Sequence, residues 1–277
     1  MRTTASPGDI GSEILAATAF GATPGRGAAE LPDPPDPLAR WHRAVALGAQ
    51  GRYAAARADL RRLARTPLDP GLRSLAESTR GSLLRQLGGH AAAAAFDGRA
   101  ATLALGAGGP ARAEALADAY TGLAADALGI GRLALAHRLL GRVEPLLGTA
   151  PPRARVRWHW VRAETALAGG AAAPALADAQ RAVELAGALP SVRHRVKSAL
   201  LLAASTAAAG DPAAAAEQAA RVDRDCAAHG LLPLRWACAM LRAGVAEPPV
   251  AAAAAAEAAD HAARIRELGG DFILPTR

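Results

Sequence analysis

Apolar positions along this chain come in long stretches rich in Ala and Leu, broken by glycine and proline at regular intervals. Arginine supplies many of the polar positions inside these stretches, and Ala, Leu and Arg all favour helix. Pro70, Pro110, Pro151, Pro190 and Pro233 lie 40, 41, 39 and 43 residues apart. Gly51, Gly89, Gly131, Gly170 and Gly210 lie 38, 42, 39 and 40 apart, about midway between the prolines. A fixed period of this length is the signature of a repeat array. One set of breaks falls inside each helix pair and the other between pairs. The pattern therefore predicts an all-α chain, an α-solenoid of about six antiparallel helix pairs with a period near 40 residues.

The expected pairs are 38–50 with 53–66, 72–87 with 90–105, 110–128 with 132–147, 152–168 with 172–186, 191–209 with 212–228, and 234–246 with 250–268. Pro110, Pro152 and Pro212 suit the first turn of a helix, where the missing N–H has no partner to lose. Asp211 and Ser191 are expected N-caps. Gly269 and Gly270 are expected to end the last helix in the left-handed conformation. Pro174 departs from the pattern and is tolerable if its helix begins there. Residues 1–36 differ in composition, with Pro32, Pro34, Pro35 and Pro37 clustered, and are expected as a disordered or extended tail, with Ser12–Phe20 able to form a short helix; the alternative is that the segment folds back to cap the first repeat. Phe272, Ile273 and Leu274 are too apolar for a free end, so 269–277 is expected to dock on the last pair.

In the first pair, Gly51-Arg52-Tyr53 followed by Ala56 resembles the inner turn of a tetratricopeptide repeat, with a small residue where two helices cross closely. Ala94, Ala136, Ala175 and Ala215 take the place of that small residue in the next four pairs. The aromatic is mostly missing, and the period is longer than the 34 residues of that family. The chain thus resembles its divergent relatives over about 38–268. The resemblance implies a right-handed TPR-like solenoid whose first helices line a concave groove.

Composition adds constraints. Aromatics are 3% of the 277 residues against 51% apolar, so the core must be built from Ala, Leu and Val. The net charge is +7, and Lys197 is the only lysine. That bias reads first as a composition effect and second as a surface that attracts acidic partners. Cys226 and Cys238 form no framework of spacings and read as small buried hydrophobes in a reducing cytoplasm. Asp9 and Glu13 interrupt the one early apolar stretch, so no secretory signal is expected. Ser198–Gly210 is the longest uncharged helical run and is too short to span a bilayer, which needs roughly 20 residues.

No catalytic motif is present. The seven histidines are spread one per helix, with no second ligand at metal-binding spacing. Gly129-Ile130-Gly131 and Gly106-Ala107-Gly108-Gly109 follow no strand and coincide with helix turns, which excludes a phosphate loop. No cofactor is expected, and the chain reads as a non-enzyme. One constellation stands out on the first helices. Arg153 and Arg193 are repeat-equivalent, as are Arg157 and Lys197, each pair 40 apart, and Arg235 follows Lys197 by 38. Arg153 and Arg157 share a helical face, as do Arg193 and Lys197. Trp160 borders them. The expectation is a basic stripe of Arg153, Arg157, Arg193, Lys197 and Arg235, free of carboxylate partners on the same helix turns. Such a stripe suits an acidic or amphipathic segment of a partner protein in a scaffold or adaptor. The alternative is a regulatory helical module of a transcription or signalling system, sensing a small ligand or contacting nucleic acid. Nucleic acid is the poorer fit, because stacking platforms are few. The four tryptophans, at 41, 158, 160 and 236, read as space-fillers on first helices.

Overall fold

The structure, a computed structural model, describes residues 7–273. Among the described residues there are 13 α-helices and no strand. They are α1 (Pro7–Phe20), α2 (Pro37–Ala49), α3 (Tyr53–Leu63), α4 (Pro70–Arg85), α5 (His90–Ala104), α6 (Gly109–Gly129), α7 (Leu133–Val143), α8 (Pro152–Ala168), α9 (Ala172–Gly187), α10 (Val192–Ala208), α11 (Pro212–Ala228), α12 (Leu232–Val245) and α13 (Pro248–Glu267). Each helix from α2 onward packs on the one before and the one after it. The even helices also touch one another in order, α2 to α4 and on to α12, and the odd helices have no comparable contact. The result is two layers, with even helices inside and odd helices outside.

Local chemistry sets the boundaries. The Asp36 carboxylate accepts from the Ala39 N–H at 2.8 Å, Asp69 from Leu72 at 3.0 Å and Asp211 from Ala214 at 2.9 Å. Ser191 accepts from His194 at 3.4 Å. Each satisfies an N–H left unpaired at a helix start. α9 begins at Ala172, ahead of Pro174, which sits in the first turn where no intrahelical N–H is lost. Five inner turns share one design. Gly51, Gly88, Gly131, Gly170 and Gly210 have φ of 78°, 85°, 75°, 72° and 95°. In each, the next residue donates to the carbonyl five positions earlier, as in Arg52 to Leu47 at 2.9 Å and Arg132 to Ala127 at 2.8 Å. This is the Schellman closure, which a Cβ would strain. In the second pair the left-handed residue is Gly88, not Gly89, and the buried small residue is accordingly Ala93, not Ala94. Ala56, Ala136, Ala175 and Ala215 are fully buried at the other crossings.

The chain's last part returns to its first. The Ala54 N–H, at the start of α3, donates to Leu268 O at 3.0 Å, and Arg57 donates to Gly269 O. Gly269 has φ 85°, and a Cβ there would lie 2.7 Å from Ala54 Cβ. Gly270 lies against the Tyr53 ring, 2.8 Å from the position a Cβ would take. Leu232, at the start of α12, packs on Gly51. Phe272 packs on Trp236 of α12 with ring centres 4.9 Å apart, but the Ile273 N–H donates to Leu87 O at 2.7 Å. The tail therefore reaches beyond the last pair to the end of α4. Leu274 lies outside the described residues.

Residues 7–36, expected as an extended tail, are instead built into the fold. Leu15, Thr18 and Ala19 of α1 are fully buried, and Phe20 joins the core around Trp41. The Val192 N–H, at the start of α10, donates to Gly21 O at 3.1 Å. Gln50 Nε2 donates to Pro24 O and Arg26 O, each at 2.8 Å. The segment thus seals one end of the array and crosses the seam between α2 and the α10–α12 region. The proline cluster at 32–37 hid this, because it dominates the composition while the apolar face of α1 lies ahead of it.

Candidate binding lumen

Because the array closes on itself, its six inner helices surround a common space. The larger chamber is about 610 Å³. Its wall is built from the last turns of α2, α4 and α6, the middle of α8 and the first turns of α10 and α12, so the start of α12 meets the end of α2. A narrower chamber of about 70 Å³ adjoins it and shares Arg157, Trp160, Arg193 and Gln86 with it. Phe20 closes that narrower end. Its ring lies 5.4 Å from Trp41, 6.4 Å from His194 and 5.0 Å from the Arg153 guanidinium.

Four of the five stripe cations line these chambers, together with Trp160: Arg153, Arg157, Arg193 and Lys197. Arg235 does not. It points to the outer helix α11, where its Nε lies 3.2 Å from Asp223. The expectation of unpartnered bases is corrected for the others as well, with one exception. Arg153 holds Asp118 at 2.8 Å and also contacts Glu114. Arg157 pairs with the same Asp118. Lys197 Nζ lies 2.6 Å from Glu164. The acids come from the preceding inner helix, not from the same helix. The separations are 35 residues for Arg153–Asp118, 39 for Arg157–Asp118 and 33 for Lys197–Glu164. The period that aligns the bases thus also delivers their counterions, and a search confined to one helix cannot see them.

Arg193 is the exception. It has no hydrogen bond or ion pair with any described protein group, and it lines both chambers. Burial, and the nearby Arg157 guanidinium, pull it down to about 10. Burial alone would push the Asp118 carboxyl up, yet Arg153 and Arg157 overcome this and hold it below the ordinary range. His194, stacked on Trp160 at 5.2 Å, is kept neutral by burial and by Arg193.

A second charged group lies below these, also unforeseen. Arg85, on the lumen wall, pairs with Asp97 of α5 and with Asp126 of α6 at 2.9 Å. Burial raises both carboxyls, Asp126 to about 7, against the lowering effect of Arg85. Asp97 belongs to a recurring arrangement in which an aspartate of the outer helix takes an arginine of its own pair. Asp59 does this for Arg43 at 2.9 Å and Asp178 for Arg162 at 3.0 Å. These buried pairs are held by several contacts each, which is what makes a buried charge tolerable.

The remaining lumen wall is mostly apolar, with Trp160, Val161, Leu128, Leu234, Trp236 and alanines, and also carries Ser82, Gln86, His90 and Thr121. Of the tryptophans, Trp41 and Trp158 are space-fillers with their indole N–H groups satisfied by Thr79 and Leu140 O, each at 2.9 Å. Trp160 is buried with only an edge on the lumen, its N–H on Ser198 at 2.8 Å. Cys226 and Cys238 are free and buried between α11 and α12, and burial pushes the Cys238 thiol up to about 12. Among the described residues no group of three His, Cys, Asp or Glu could hold a metal, and no helix is long and apolar enough to cross a membrane. The chain matches no family model and no curated protein.

Proposed function

We propose that this protein is a non-enzymatic binding module, a TPR-like right-handed solenoid closed into a ring, whose lumen receives a small amphipathic ligand. The reading rests on one observation: six helices line a partly open space of about 610 Å³ whose wall is part apolar and part cationic. Small-molecule sites fall at roughly 300–1,000 Å³ and combine an apolar lining with a few placed polar groups. The geometry favours the regulatory, ligand-sensing alternative over the adaptor. Contacts at Ala54–Leu268 and Leu87–Ile273 close the ring, so a long partner segment has no open groove to lie in. Free, buried cysteines suit a cytoplasmic setting.

The adaptor reading keeps one support. α1 demonstrates that the narrow end accepts a helix, so an acidic helix of a partner could displace it and reach Arg153, Arg157, Trp160, Arg193 and Lys197. Titration of the full chain with anilinonaphthalene sulfonate, and separately with an Asp/Glu-rich helical peptide, separates the two. The lumen reading expects saturable binding of the dye at one per chain and none of the peptide. Peptide capture without dye binding would replace it with the adaptor reading.

A further inference from the structure

Resting on the lumen reading, we propose that the ligand is a singly charged amphipathic carboxylate whose head group seats on Arg193 and whose apolar body lies against Leu128, Leu234 and Trp236. The argument is one of charge balance inside a confined space. Arg85 is matched by the Asp97–Asp126 pair, Arg153 and Arg157 by Asp118 and Glu114, and Lys197 by Glu164. Among the described residues, Arg193 is the one lumen cation with no hydrogen bond or ion pair. A guanidinium sheltered from bulk water in an apolar-walled space attracts an anion strongly, and its planar fork matches a carboxylate. One guanidinium without a partner, lining both chambers, offers a seat for one carboxylate. A dianionic phosphate would need further free donors, and Arg157, the nearest candidate, is already committed to Asp118.

The apolar part of the chamber wall supplies the other half of the recognition. Leu128, Leu234 and Trp236 come from α6 and α12 and offer no charge. Gln86 lies on the wall of both chambers, with Tyr53 buried behind it. The Tyr53 hydroxyl donates to Gln86 Oε1 at 3.1 Å and lies within electrostatic reach of Arg193. The ligand class is therefore an apolar monoacid, and a neutral molecule of the same shape should bind less well.

The test is calorimetric titration of the full chain with decanoate, decanol and decyl phosphate. Decanoate should bind at one per chain and roughly tenfold or more tighter than decanol, the scale of one charge-assisted hydrogen bond. Arg193→Gln should bring the acid down to the alcohol, and Arg193→Lys should retain most of the preference. Arg138→Gln, which removes an exposed base on the outer helix α7, should leave the preference in place. A parent chain that binds decanol as well as decanoate overturns the proposal while leaving the lumen reading intact, as does tighter binding of decyl phosphate. If none of the three binds, the lumen reading itself fails. Should Arg193→Gln not fold, the acid-to-alcohol ratio in the parent and in Arg193→Lys still decides the question.

Discussion

At the residue scale, small side chains set how near the helices come. Ala136, Ala175 and Ala215 are fully buried where the two helices of a pair cross. Enlarging any of them to Leu should overpack the crossing and cost on the order of 1–3 kcal/mol, read from denaturant midpoints. Unchanged midpoints in all three would contradict the crossing geometry. These positions were legible because a glycine turn fixes the register five residues ahead. The second pair was misread by one residue, since Gly88 and Gly89 adjoin and composition cannot tell which takes φ of 85°. His42 gives a pH test. Burial lowers it to about 4, with Asp36 opposing and Arg153 assisting. The unfolded chain takes up the proton near pH 6.5 and the folded chain only near pH 4. Stability from this group is therefore full above pH 6.5 and lost as pH falls toward 4. His90, His194 and His261 are lowered as well and act in the same direction, while Asp97 and Asp126, raised by burial, act in the opposite one. The difference between the parent and His42→Phe isolates the term: the parent should lose stability faster than the variant from pH 7 to 4.5, and parallel curves would refute it.

At the element scale, closure depends on two glycines and on the first helix. Gly269→Ala places a Cβ at φ 85° and against Ala54, and Gly270→Val drives a side chain into Tyr53. Both should lower the melting midpoint and raise hydrogen exchange at the Ala54 amide, whose bond to Leu268 they break. Phe20→Ala should open the narrow end, cost about 3–5 kcal/mol if the cavity stays unfilled, and raise the accessibility of Trp41 to a fluorescence quencher. An unaltered quenching profile would mean that α1 is not the seal. The helices themselves were legible from the spacing of Pro and Gly. The role of α1 was not, because what it buries against, Trp41 of α2 and the start of α10, is distant in sequence.

At the scale of the molecule, the fold converts an open array into a chamber. The alignment of bases on successive first helices was readable as a 40-residue offset. The acids that neutralise them sit about one offset earlier on the neighbouring helix and were readable by the same rule. What no local pattern carries is the return of Leu268 and Ile273 to α3 and α4, which depends on how the small displacements of six pairs add up. The central claim is that the enclosed space, not the outer surface, is where this protein binds. Ala237 lies on that wall and is half-buried. Ala237→Trp should intrude into the chamber beside Leu234 and Trp236 without disturbing α12, whose buried face is carried by Cys238 and Ala239. The decisive measurement is titration of this variant beside the parent with anilinonaphthalene sulfonate, with helicity checked by far-ultraviolet dichroism. The account predicts equal helicity, one dye per parent chain and at least a tenfold loss of affinity in the variant. Equal dye binding by parent and filled variant would place the site outside the ring and contradict it.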